Sequence, residues 1–240
     1  MKVINDLLDY NNMKIVQNPQ MFSFSLDSVL LPNFITINKN IKSILDIGCG
    51  NAPIPLILST KTSAEITGVE IQKEVYKMAL ESVKINKLDK QIHIINSDIN
   101  DCYKKFPINS FDIITCNPPF FKNLSTSHKN IIEYKKIARH EIYLNLDQLF
   151  KIANVLLKNK GNIGIVHRPE RLIEIIDKMK KNNIEPKRIQ FIYPKENKES
   201  NCLLIEGTKN GKPGIKVLPP LYVHKENGEY TEMVKIMFKS

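Results

Sequence analysis

From about residue 43 onward, short apolar runs of strand length alternate with segments whose apolar positions recur at helical spacing. Ser43–Ile47 (SILDI) is a buried-strand run that ends in a Gly turn, GCGN. Ile54–Thr60 follows as a short helix and Glu65–Val69 as a second strand. Lys73–Asn86 carries Val75, Met78, Ala79, Val83 and Ile85 near helical spacing, which predicts an amphipathic helix. Ile92–Asn96 and Phe111–Cys116 are the third and fourth strands. Leu146–Lys158 is a helix with Leu149, Ile152, Ala153, Leu156 and Leu157 on one face, and Asn162–Val166 is the fifth strand. Pro169 opens the next helix at a position where its missing N–H costs nothing. Ile189–Tyr193 and Cys202–Glu206 leave no room for a crossover helix between them, so they are expected as antiparallel neighbours. The pattern predicts an α/β fold: a mostly parallel seven-stranded sheet with helices on both faces and an antiparallel last strand. Residues 1–42 stand outside the repeat. They are expected as an N-terminal extension, with a hairpin-like piece around Met13–Gln17 and a helix from Asp27, packed on a catalytic domain of residues 43–240.

Composition narrows the class. The 240 residues are 42% hydrophobic and 25% charged, ordinary values for a globular chain and unlike those of a disordered one. No run approaches the ~18 apolar residues of a membrane span, and the N-terminal MKVINDLLDYNNMK has acids where a signal peptide has an unbroken apolar core. Cys49, Cys102, Cys116 and Cys202 form no CxxC, and no His stands at metal-ligand spacing from them. They are expected as free thiols of a cytoplasmic protein, without metal. The net charge of +10 suits a polyanion partner, and equally a solvated Lys coat.

In an open parallel sheet, ligands lie outside the carboxyl ends of the strands. Four consecutive strands place a polar or Gly feature on that edge: Asp46-Ile47-Gly48-Cys49-Gly50-Asn51-Ala52, then Gly68-Val69-Glu70, then Asn96-Ser97-Asp98, then Cys116-Asn117-Pro118-Pro119-Phe120. Each alone has a plain explanation, since tight turns want Gly and a lone acid after a strand is often a helix cap. Together they describe a nucleoside site. Glu70 lies about 20 residues past the Gly turn, where a carboxylate accepts both ribose hydroxyls. A nicotinamide dinucleotide wants G-x-G-x-x-G for its pyrophosphate; the run here is G-C-G-N-A-P, and Asp46 would oppose a phosphate. The same acid suits the ammonium of a methionyl group, so S-adenosyl-L-methionine is favoured on charge. Ala52 is expected to keep an ordinary φ.

DIGCG, GVE, NSD and NPPF together resemble the class I S-adenosylmethionine-dependent methyltransferases, whose fold is Rossmann-like. Asn-Pro-Pro-(Phe/Tyr) marks those that methylate an amino or amide nitrogen. IVQNPQMFSFSLDSVLLPNF, IARHEIYLNLDQLF, VHRPERLIEIIDKM and EPKRIQFIYP further resemble the bacterial tRNA(Val) adenine-37 N6-methyltransferase family. The resemblance implies cofactor contacts from Asp46, Gly48, Gly50, Glu70 and Asp98, with Phe24 lining the methionine end. It implies a catalytic loop of Asn117, Pro118, Pro119 and Phe120. The Asn117 oxygen and the Pro118 carbonyl would accept the two N–H groups of the target amine, the Pro-Pro pair would stiffen the loop, and Phe120 would stack on the purine. The partner implied is tRNA, met by a monomer, with RNA contacts expected from Lys122, Arg139, His140, Arg168, Arg171 and Arg188. Alternatives that share the loop are a release-factor glutamine-N5 methyltransferase, for which residues 1–42 are too short a helical domain, and an rRNA guanine-N2 methyltransferase. An inert RNA-binding module of the same fold is a third, disfavoured by the intact Asn117 and acids.

Overall fold

The computed structural model describes residues 2–8, 10, 12–18, 24–118 and 144–239. Its strands are β1 (Val3–Asp6), β2 (Lys14–Gln17), β3 (Ser43–Ile47), β4 (Glu65–Glu70), β5 (Ile92–Asn96), β6 (Phe111–Cys116), β7 (Leu157–His167), β8 (Ile184–Tyr193), β9 (Cys202–Lys209), β10 (Lys216–Val217) and β11 (Leu221–Tyr222). Its helices are α1 (Asp27–Phe34), α2 (Pro53–Ser59), α3 (Lys73–Ile85), α4 (Ile99–Cys102), α5 (Leu146–Leu156), α6 (Leu172–Lys181) and α7 (Glu232–Met237). The main sheet runs β10-β8-β9-β7-β6-β3-β4-β5, with β11 also on β8. β3 pairs in parallel with β4 and β6, β4 with β5, and β6 with β7; β9 is antiparallel to both β7 and β8. The expected seven strands are therefore the body of the sheet, with the last of them reversed. β10 and β11 add two residues each at the β8 edge, too short for any periodic signal.

Side chains alternate across the sheet. Ile44, Ile66, Ile113 and Val166 enter one core with α1, α2 and α3. Leu45, Ile47, Ile114, Ile163 and Ile165 enter the other with α5 and α6. The described part of residues 1–42 contributes Leu7, Tyr10, Ile15, Val29, Leu30 and Leu31 to the first core. β1 and β2 form an antiparallel pair beside α3. α1 is buried around most of its circumference, and Ile35 just beyond it lies over Gly164 of β7.

Two expectations are corrected. The helix read through Lys158 ends at Leu156, and β7 starts at once with Leu157 opposite Phe111. Irregular pairing, with Lys160 at φ 65°, carries the chain to the regular ladder at Asn162, where the strand was expected to begin. Ala52 is not in an ordinary conformation but at φ 72°, ψ 33°. Pro53 disfavours the right-handed helical region for the residue before it, and Ala52 is held by its N–H to the Cys49 carbonyl at 2.9 Å.

Close approach also governs Gly68, opposite Asp46 in the β3–β4 register. A Cβ there would lie 2.8 Å from both Cys49 Sγ and Ile94 Cδ1. Gly68→Ala should displace the Gly turn and destabilise the protein by about 1–3 kcal/mol; urea unfolding with an unshifted midpoint would show that the turn yields freely.

Candidate active site

The site is built on the carboxyl edge of β3, β4, β5 and β6. After β3 the chain turns through Gly48 (φ 70°) and Gly50 (φ 57°), left-handed conformations that glycine adopts without strain. Gly48 and Cys49 both donate to the Val69 carbonyl, at 2.9 and 3.1 Å, which ties the turn to the end of β4. Gly48 is exposed, and the space beside its Cα is open for 4 Å. A ligand can approach bare backbone there.

Two carboxylates flank the turn. Glu70 accepts from the Gly50 N–H at 3.0 Å through Oε2 and from the Gln72 N–H at 2.8 Å through Oε1. Burial raises its pKa, opposed by these backbone donors. Each oxygen keeps further acceptor capacity. Asp46 is wholly buried. Its Oδ1 accepts from Thr115 Oγ1 at 2.6 Å, and its Oδ2 has no partner among the described residues. Desolvation pushes its pKa up to about 7, against the lowering by Thr115 and aided by the Glu70 charge. A buried acceptor without a donor, next to a second carboxylate, is a place that favours a cation.

Asp98 caps α4. Its Oδ1 accepts from the Asn100 N–H at 2.8 Å and from Asn100 Nδ2 at 3.0 Å, so here the capping explanation of the sequence also applies. Phe24 is half-buried, and its N–H donates to Gln17 Oε1 at 3.1 Å. Asn117 follows β6 on the same face as Asp46 and Thr115. Its Nδ2 donates to Ser28 Oγ of α1 at 3.2 Å, and its Oδ1 receives no hydrogen bond from the described residues. Pro118 is half-buried beside it. Pro119, Phe120, Lys122, Arg139 and His140 lie outside the described residues.

The remaining basic candidates separate. Arg168, after β7, donates to the Asn201 carbonyl at 2.6 Å and stays near the active edge. Arg171 makes a two-pronged pair with Glu174, at 2.8 and 2.7 Å. Between them His167 is pushed down to about pH 4 by desolvation and by Arg171, so it is neutral at physiological pH. Arg188 is committed to structure. Its guanidinium meets buried Glu206 at 3.2 Å, the Phe34 carbonyl at 3.1 Å and Thr36, and lies 4.8 Å from the Phe34 ring centre. It thereby neutralises a carboxylate buried in the sheet.

Four supporting residues escaped the sequence reading. Thr115 and Ser28 hold Asp46 and Asn117. Asn51 donates to the Val16 carbonyl at 2.7 Å, and Gln17 holds Phe24, so the Gly turn is wired to β2 and onward. Only Thr115 left a trace in sequence: it is a polar residue at an inward position of an apolar strand. Among the described residues no three His, Cys, Asp or Glu side chains group as a metal site, and no helix is long and apolar enough to cross a membrane.

The buried carboxyl of Asp46 has a measurable signature. Its folded pKa of about 7 exceeds the ordinary 3.8, so the native state loses stability as pH rises from 4 to 7. The total is about 4 kcal/mol by linkage. Asp46→Asn should match the parent near pH 4 and exceed it by a few kcal/mol at pH 8 in chemical denaturation. Parallel pH curves would show that Asp46 is not the buried titrating group.

With this geometry in view, comparison with known proteins is informative. Residues 12–182 match the methyltransferase small domain family. The chain is 26% identical over 194 residues to the tRNA1(Val) (adenine(37)-N6)-methyltransferase of Cytophaga hutchinsonii, covering 81% of this chain and 80% of that protein. It is 27% identical over 219 residues to the enzyme of that name from Aliivibrio salmonicida, covering 88% and 87%. Among solved structures, a predicted O-methyltransferase of Agrobacterium tumefaciens superposes with a TM-score of 0.71 at 17% identity, over 89% of this chain and 97% of that one. Geranyl diphosphate C-methyltransferase of Streptomyces coelicolor, solved with S-adenosyl-L-homocysteine, gives 0.59 at 12% identity over 76% of each chain. The Gly turn, the two acids beside it and the Asn-Pro step after β6 thus sit in a Rossmann-like methyltransferase fold, and the chain belongs to the methyltransferase small domain family.

Proposed function

We propose that this protein transfers a methyl group from S-adenosyl-L-methionine to the exocyclic N6 of an adenine in tRNA, at position 37 of a tRNA(Val). The observation that carries the reading is the juxtaposition on one sheet face of Asp46 and Asn117, each with a side-chain oxygen that has no partner among the described residues. Relatives named for this activity match along most of their length and of this chain, which supports the substrate.

The residues present fit the cofactor. Glu70 retains lone pairs for ribose hydroxyls, Asp98 retains Oδ2 for the adenine amine, and Gly48 lets a ligand approach closely. Asp46 and Glu70 set a negative field for the methionyl ammonium and the sulfonium. When bound, S-adenosyl-L-methionine supplies an electrophilic methyl group. An aromatic amine is a poor nucleophile because its lone pair is delocalised into the ring. Asn117 Oδ1 and the Pro118 carbonyl would accept its two N–H groups and localise that pair toward the methyl. No general base is needed beforehand, because the amine becomes strongly acidic only as it is methylated. Catalysis here is positioning and desolvation. Residues 1–42 serve as an N-terminal extension of the catalytic domain, the protein acts as a monomer, and the +10 charge serves the tRNA backbone.

Asn117→Ala should cost on the order of 10²–10³ in single-turnover methyl transfer to unmodified tRNA, with cofactor affinity nearly intact by calorimetry. Transfer at the parent rate would remove the loop from catalysis and the adenine-N6 assignment with it. Glu70→Ala should weaken the cofactor by roughly 1.5–3 kcal/mol. Glu70→Gln should recover part of this, because its oxygen can still accept the Gly50 N–H. Neutralising about five phosphates predicts a slope of about −4 to −5 for log K of tRNA binding against log salt, and a flat response would favour a protein substrate.

A further inference from the structure

We infer that Ser28 is a positioning residue for the methyl-accepting base, holding the Asn117 carboxamide with its oxygen turned to the pocket. This rests on the reading of Asn117 as the acceptor for the target amine. A carboxamide has an oxygen end and an NH2 end of nearly the same shape, and rotation about its last torsion exchanges them. Packing alone chooses poorly between the two orientations. The wrong one aims N–H at N–H and repels the base. In the orientation found, Ser28 Oγ accepts from Asn117 Nδ2 at 3.2 Å, which leaves the carboxamide oxygen for the base.

The support is fixed in its turn. Ser28 is 3% exposed, so bulk water competes little for the amide. It stands in the first turn of α1, whose apolar residues are buried between α2 and the sheet. Beyond the helix, Thr36 donates to buried Glu206 from its N–H at 2.8 Å and its hydroxyl at 3.0 Å. Within it, Asn33 donates to the Tyr10 hydroxyl at 3.0 Å. Pro32 has no N–H to offer the Ser28 carbonyl one turn back, so tertiary contacts, more than helical hydrogen bonds, set where Ser28 stands. On the other side, Asn117 leaves β6 two residues after Thr115, which is pinned to Asp46. The hydrogen bond therefore joins two rigid bodies across the mouth of the site.

The test combines kinetics with spectroscopy. Ser28→Ala should slow single-turnover methyl transfer to unmodified tRNA about 10-fold, with cofactor and tRNA affinities and the melting temperature unchanged. Ser28→Thr, which keeps the acceptor, should recover most of the rate. In an Asn117→Ala background Ser28→Ala should cost nothing further, whereas a merely structural role would multiply the two losses. In 15N-labelled protein the Asn117 side-chain amide signals should shift in Ser28→Ala and return in Ser28→Thr. A parent rate in Ser28→Ala, multiplicative losses, or unmoved amide signals would each overturn the inference. If the parent protein methylates no tRNA, the proposed substrate falls, and the amide signals still decide whether Ser28 fixes the carboxamide.

Discussion

A carboxyl group buried at the centre of a parallel sheet is the constraint around which this protein is arranged. Asp46 lies between β4 and β6, with Gly68 on one side and Thr115 on the other. An unpaired carboxylate in such a place costs several kcal/mol, and one hydroxyl, on Thr115, answers it. That single bond requires the β3–β6 register as found. A slip of one residue would turn Asp46 into the core beneath α5 and α6 and carry Asn117 to the wrong face. The pairing that shelters the acid is thus the pairing that brings the Gly turn and the Asn-Pro step to the same height. An apolar residue would make a better core at position 46; what the acid offers instead is a field for a cation at the turn.

The N-terminal segment is the second support, and it serves both halves of the site at once. β2 is held by its edge, through Val16, to Asn51 of the Gly turn and to Ser82 of α3. Gln17 then holds Phe24, and Ser28 holds Asn117. Arg188 and Glu206 secure the far end of α1. Described residues of this segment therefore touch both the Gly turn and the Asn-Pro step. The apolar packing of Val29, Leu30, Leu31 and Phe34 gives these hydrogen bonds their fixed geometry.

The body of the sheet was legible because its strands are apolar on both faces and its helices on one. Ile44, Leu45 and Ile47 point to opposite cores, and α3 keeps Val75, Met78, Ala79 and Val83 buried on a single stripe. The acids and glycines of the edge were legible because few other reasons place them after four successive strands. What stayed hidden depends on partners far along the chain. Nothing local marks Ser28 as the neighbour of a residue 89 positions away, or Arg188 as the counter-ion of Glu206. Ala52 was misread because its conformation is imposed by the turn and by Pro53 rather than by its own preference. β7 was read short because its first residues pair irregularly and contain Lys-Asn-Lys-Gly, which reads as a loop.

The N-terminal segment is also tied to later parts of the chain. Tyr10 donates to the Met237 carbonyl, Asp27 accepts from Cys202, and Thr36 rests on Glu206. On a ribosome Asp27 and Thr36 emerge before Cys202 and Glu206, which hold them. Contacts of such long sequence separation form late and slowly. The contacts of Asp27 and Thr36 with β9 therefore form only after that strand has been made, so that a chain interrupted before β9 would lack them.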